Sequence, residues 1–148
     1  MADKTVIISV TDEDTKETKE LTFNRVTEVK ISEELDSDIV KTFDEPVSVP
    51  SSDGGYTVDI SALEARDITR FRTLKQILQK MKTVQGSITV KEVVKVKGEN
   101  PFEDVNFLGG VLLSSNEVTY DAEDLTAREL SFSAETMAEE INGEPVQW

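Results

Sequence analysis

Two short carboxylate clusters, Asp12-Glu13-Asp14 and Asp36-Ser37-Asp38, are the residues whose spacing suggests a bound cation. Calcium takes roughly six to eight oxygen ligands, and an EF-hand loop needs glycine at its sixth position and an acid at its twelfth. Counted from Asp12, those positions fall on Glu17 and Phe23; counted from Asp36, on Lys41 and Val47. Neither cluster meets the pattern, so neither is assigned a metal.

The other routes to chemistry narrow quickly. The chain has no His and no Cys. That removes imidazole acid–base catalysis, Ser-His triads, thiolate nucleophiles, disulfides and the commonest transition-metal ligands. Paired carboxylates for glycoside chemistry stay open, but no aromatic-rich sugar cleft accompanies them, and the one Trp is the last residue. Gly54-Gly55 and Gly109-Gly110 lack phosphate-loop spacing and read as turn and bulge glycines. Lys91, Lys95 and Lys97 could form a nucleic-acid stripe. Without neighbouring aromatics for stacking, cross-strand pairing with glutamates is the preferred reading. No catalytic, cofactor-binding or metal-ligating residue is assigned, and an enzyme is not expected.

Charge is more informative. The net charge is −14, which opposes capture of nucleic acid or an anionic membrane. Residues 66–82 run against that trend: Arg66, Arg70, Arg72, Lys75, Lys80 and Lys82 face one acid, Asp67, a local +5, so −19 lies elsewhere. This stretch is either a helix with a solvated basic face or a basic face meeting an acidic surface on another copy of the chain.

The elements that must position these groups follow from periodicity. In residues 55–97, Tyr56, Val58 and Ile60 alternate as a strand. Asp67 then offers an N-cap for a helix over 67–82. Phe71, Leu74, Leu78 and Met81 form its stripe, with Ile77 at the edge. Ile88, Val90, Val94 and Val96 resume the two-residue period. Before this unit, 5–10 reads as a strand, 11–20 as a hairpin tip and 21–31 as one strand with a bulge or two-sided burial near Arg25. Residues 98–101 form a turn, and 105–113 a strand covered on both faces, bulged at Gly109-Gly110. Residues 114–129 are polar, anchored by Val118, Tyr120 and Leu125. Leu130, Phe132 and Ala134 then point inward.

Residues 32–54 are the least regular part, with acids at Glu33, Glu34, Asp36, Asp38, Asp44 and Glu45 and isolated apolar groups at Leu35, Ile39, Phe43 and Val47. They are read as an extended arm whose apolar groups are covered by a neighbour; the alternative is a loop folded on its own domain. Trp148 suits the same kind of contact. The fold class is therefore α+β, mostly β: an antiparallel sandwich or barrel flanked by one helix, as one domain over 1–148. No run approaches the roughly 18 apolar residues of a membrane span. MADKTVIISV lacks the layout of an export signal.

This order of elements resembles the tail tube (major tail) proteins of bacteriophages and phage-derived contractile particles. The match lies in 54–142. GGYTVDISALEARDITRFRTLKQILQKM resembles that family's strand, turn and helix. GSITVKEVVKVKGENPFEDVNFLGGVLLSS resembles its following strand pair, and LSFSAETMAEEI its closing strand. Residues before 54 agree in layout only.

The resemblance implies subunits joined edge to edge into rings, usually of six, stacked into a β-lined channel. Partners would be other copies of the chain, a tape measure protein in the lumen, and sheath, terminator and baseplate proteins. Double-stranded DNA would pass without specific binding. The place would be a virion tail assembled in the host cytoplasm. Interface candidates are Leu35, Ile39, Phe43 and Val47 on the arm, Arg70, Arg72, Lys75 and Lys80 on the helix, and Trp148. The rival readings are a contractile injection or secretion tube, a terminator or connector ring, and, from another class, a monomeric acidic β-sandwich binding module. A His-free carboxylate hydrolase stands last.

Overall fold

The computed structural model describes residues 4–23, 25–34, 37–41, 46–50, 55–65, 67–120 and 125–147. One strand organises them: β8 (Phe102–Tyr120), 19 residues long, which belongs to two sheets in turn. Its first part pairs with β7 (Gly86–Val94) on one side and β10 (Thr136–Ile141) on the other. Its second part pairs with β9 (Leu125–Ala134). The first sheet continues from β7 to β1 (Lys4–Thr11) and β2 (Thr18–Phe23). Beyond β10 it ends in the short β11 (Glu144–Pro145). The second continues from β9 to β6 (Tyr56–Ala65) and β3 (Val26–Glu33). Among the described residues every pairing is antiparallel, and one helix, α1 (Ile68–Lys80), accompanies the strands.

The change of sheet happens at Gly109-Gly110, for a steric reason. Gly110 has φ 62°, a conformation that a side chain disfavours. A Cβ there would lie 2.9 Å from Glu135 Cβ, and Gly109 O accepts from Glu135 N at 3.0 Å. The expected close approach is thus made by the chain's own β9–β10 corner. The kink shifts the inward residues of β8: Leu108 and then Val111 are buried, three positions apart. Val105, on the opposite face from Leu108, is also buried, yet Phe107 is 40% exposed. Coverage of the second face is therefore partial, which corrects the expectation for 105–113.

Alternation sets the core. Val6 and Ile8 of β1, Val58 and Ile60 of β6, Ile88 of β7, and Leu130 and Phe132 of β9 are all essentially inaccessible. Each such side chain contributes about 1.5–3 kcal/mol relative to exposure. Helix α1 adds Leu74, Ile77, Leu78 and Met81 to the same cluster. Ile77 is at the centre of the buried stripe, not its edge, and Phe71 is only half-buried.

Three further expectations change. Residues 21–31 are two strands, because the chain leaves the first sheet after Phe23 and enters the second at Val26. The parity shift near Arg25 is that exchange, followed by a register shift between Val26 and Glu28. Residues 114–120 and 125–129 are not a polar connection but pair as strands β8 and β9, with Tyr120 58% exposed. Strand β7 ends at Val94, leaving Val96 outside it and 43% exposed. In the arm, β4 (Ser37–Lys41) and β5 (Pro46–Pro50) pair with each other as a separate two-stranded sheet.

Candidate functional site

The helix crosses the first hairpin, and three polar ties fix it there. Asp67 caps its start, accepting from Thr69 N at 2.8 Å and Arg70 N at 3.1 Å. One turn of Asp67-led helix brings Arg70 Nη2 onto Thr22 O of β2 at 2.8 Å. Further along, Gln76 Oε1 accepts from Lys19 Nζ at 3.0 Å. At the last turn Lys80 Nζ donates to Asp12 Oδ2 at 2.8 Å. A cation in the last turn also suits the helix dipole.

Asp12 holds the hairpin tip as well. Its Oδ1 accepts from Asp14 N and Thr15 N, while Lys16 N donates to Asp12 O across the turn. The Lys80 ammonium, helped by those backbone donors, lowers the Asp12 pKa to about 2. Lys80 is raised in turn by the same carboxylate. The cluster considered for a cation thus has a lysine ammonium as its counterion. Among the described residues no group of three or more metal-ligating side chains comes together.

Between helix and hairpin lies a groove of about 820 Å³. Its floor and rims include Val10, Phe71, Ile68, Arg72, Lys75 and Lys80. Arg72 and Lys75 are exposed, and Ile68 is 74% exposed. The four basic candidates therefore divide: Arg70 and Lys80 are turned to the hairpin, and Arg72 and Lys75 face outward. Ile39 lies in β4 opposite Ser48, and Val47 in β5 opposite Val40; their side chains lie outside the described residues. Leu35, Phe43 and Trp148 lie outside them altogether.

Two features escaped sequence reasoning. Arg128 is buried, with its guanidinium carbon 5.0 Å from the Phe71 ring centroid, a cation–π distance. Extending the two-residue period of β9 backward from Leu130 would have placed Arg128 and Thr126 inward. Second, the register sets Lys91 opposite Thr5 and Val105, and Lys95 and Lys97 lie beyond the end of β7.

A contrasting cluster sits toward the other end of the first sheet. Glu92 stands opposite Asp104 in the register, and Lys4 opposite Glu92. A hydrogen bond to Asp104, with burial and like charge, raises the Glu139 pKa. Where the arm leaves the body, Glu34 N donates to Gly55 O at 3.1 Å, beside a second cavity of about 720 Å³ that includes Gln85 and Glu135.

The same fold occurs in solved structures. A chain of the sheath–tube complex of an extracellular contractile injection system, in its extended state, is 16% identical, with TM-score 0.53 over 91% of this chain and 87% of that one. The SPP1 tail tube is 15% identical, with TM-score 0.51 over 97% and 79%. An Hcp protein is 9% identical, with TM-score 0.51 over 96% and 95%. The chain has the tail-tube fold. No family model and no curated protein matches it. At these identities the likeness is one of fold, spread over nearly the whole chain. It agrees with the α+β, mostly β class and with one helix beside antiparallel sheets.

Proposed function

We propose that this protein is a structural tube subunit that closes into rings, hexameric by the family resemblance, which stack into a conduit. The single observation carrying this reading is the tail-tube fold over nearly the full chain. Among the described residues, β2 pairs only with β1 and β3 only with β6, so each sheet has an edge able to pair with another copy. In an isolated domain such edges invite aggregation; in a ring they are joints. The arm and groove suit contacts beyond the ring plane.

The charge fits a passage for a polyanion. A wall of −14 subunits repels phosphates weakly, whereas a lysine-lined wall would release counterions, bind the duplex and stall it. The reading is thus of a virion tail protein without catalysis, with a tape measure protein in the lumen during assembly and sheath, terminator or baseplate proteins as further contacts. A second reading, a tube of a contractile injection system, is favoured by the likeness to the sheath–tube complex. The two differ in the cargo and not in the subunit.

Sedimentation velocity on the full chain over a wide concentration range tests the proposal. Ring-sized and larger species should grow with concentration, and a DNA duplex should not co-sediment at low salt. A single monomeric boundary throughout, or tight DNA binding, would overturn it and favour the binding module.

A further inference from the structure

We propose that the groove beside α1 receives the acidic arm, residues 33–45, of a second copy of this chain; the proposal rests on the tube reading and specifies its contact. The two surfaces match in charge. Residues 66–82 hold six cations against one acid, and residues 33–45 hold six acids against Lys41 alone. Like-signed alternatives are suppressed by such an arrangement, and encounter is steered by it.

Within the groove, two pairs of cations differ in what they need. Lys80 is engaged by Asp12, and Lys19 by Gln76 and, at 3.8 Å, Glu17. Among the described residues no carboxylate pairs with Arg72 or Lys75. Beside them, Ile68 is 74% exposed and Phe71 half-buried at the rim. An occupant must therefore bring carboxylates and apolar side chains together. Duplex DNA brings anionic phosphates without apolar side chains, and the chain's −14 opposes its approach.

The arm brings both. EELDSDIVKTFDE interleaves Leu35, Ile39, Val40 and Phe43 with its acids. Its strands β4 and β5 pair only with each other among the described residues, as a sheet separate from the body. A tie from arm to groove between copies is heterologous, so it propagates from subunit to subunit as a stacked assembly requires. An exposed ion pair alone contributes little, about 0–1 kcal/mol. The same pair repeated beside buried apolar contacts around a ring multiplies through effective concentration.

The test is the double variant Arg72→Glu/Lys75→Glu in the full chain, with the conservative Arg72→Lys/Lys75→Arg beside it. Both residues are exposed, so circular dichroism and thermal midpoint should stay at parental values. The reversal should raise the protein concentration needed for assembly by about tenfold or more. Adding Asp36→Lys/Asp38→Lys to the reversed chain should restore assembly, and the conservative variant should assemble as the parent does. Parental assembly by the reversed chain overturns the proposal.

Should the parent itself fail to assemble, the tube reading falls and the groove is still examined by a synthetic peptide of residues 33–49. Chemical-shift changes at Ile68, Arg72 and Lys75 of the full chain, weakened between roughly 50 and 500 mM salt, support docking; unshifted resonances overturn it. A spin label at position 39 separates copies: broadening at Ile68 of an unlabelled, isotope-enriched copy is expected, and broadening confined to the labelled copy's own groove contradicts the proposal.

Discussion

Asp12 and Glu139 lie toward opposite ends of the first sheet and are shifted in opposite directions. Asp12 follows the last residue of β1 and meets an ammonium, which lowers its pKa to about 2. Glu139 meets Asp104, which aligns through Glu92 with Lys4 at the start of β1, about 25 Å away by strand rise. The first carboxylate is stabilised by its setting, and the second is a like-charge contact whose relief is protonation. One end of the body is therefore closed by opposite charges, with two outward cations left over. The other holds an excess of acid within the chain. The difference gives the subunit a direction, which a head-to-tail stack can use.

The largest effect should erase the comparison altogether. Phe132, wholly buried in the shared core, supports both ends, so Phe132→Ala should cost about 3–5 kcal/mol in urea denaturation. Hydrogen exchange should then rise at α1 and at β10 alike. Protection lost at one end only would mean that the two ends fold separately. Asp67→Ala should sharpen the contrast. Losing the cap costs about 1 kcal/mol and should loosen the amides of α1 and the groove while leaving the β8–β10 ladder unchanged.

Acid titration separates the ends by sign. Below neutrality, as pH falls through the raised Glu139 value toward its ordinary 4.5, the folded state takes up a proton first and stability should rise. Asp12 behaves oppositely: its contribution is full above the ordinary 3.8 and is lost as pH falls toward about 2. The thermal midpoint should therefore pass through a maximum on the acid side. Glu139→Gln should raise the midpoint by about 1–3 °C at neutral pH, with the gain vanishing near pH 4.5. Asp12→Asn keeps the acceptor for the turn amides and should flatten only the part of the profile below 3.8. The smallest effect belongs to Lys80→Gln: a slight destabilisation at low salt that high salt reduces, because the pair is partly open to solvent. A gain with Lys80→Gln would reverse the assignment of the groove end.

How much of this was readable depends on which partner carries the information. Asp67, Leu74, Leu78 and Met81 announce the helix because cap and stripe are local in the chain. The alternation of Val6, Ile8 and Val10, and of Leu130, Phe132 and Ala134, is equally local. The division of 21–31 between two sheets is not, since it is decided by which strand each half meets, β1 for one and β6 for the other. The hairpin over Ser114–Tyr120 hides because its outward residues are polar. It is held by backbone pairing to β9, which a hydropathy pattern does not record. Likewise Asp12 shows three nearby acids in sequence, and only the fold brings Lys80, 68 residues away, onto it. Positive charge on 66–82 was plain, but its partition into hairpin ties and outward cations required the crossing of α1 over β2.

Assembly is the claim on which the rest depends, and negative-stain electron microscopy of the purified full chain addresses it most directly. The account predicts rings of uniform diameter with a stain-filled centre, and stacks of them as concentration rises. A field of small solid particles that never associate, at any concentration or salt, would contradict it.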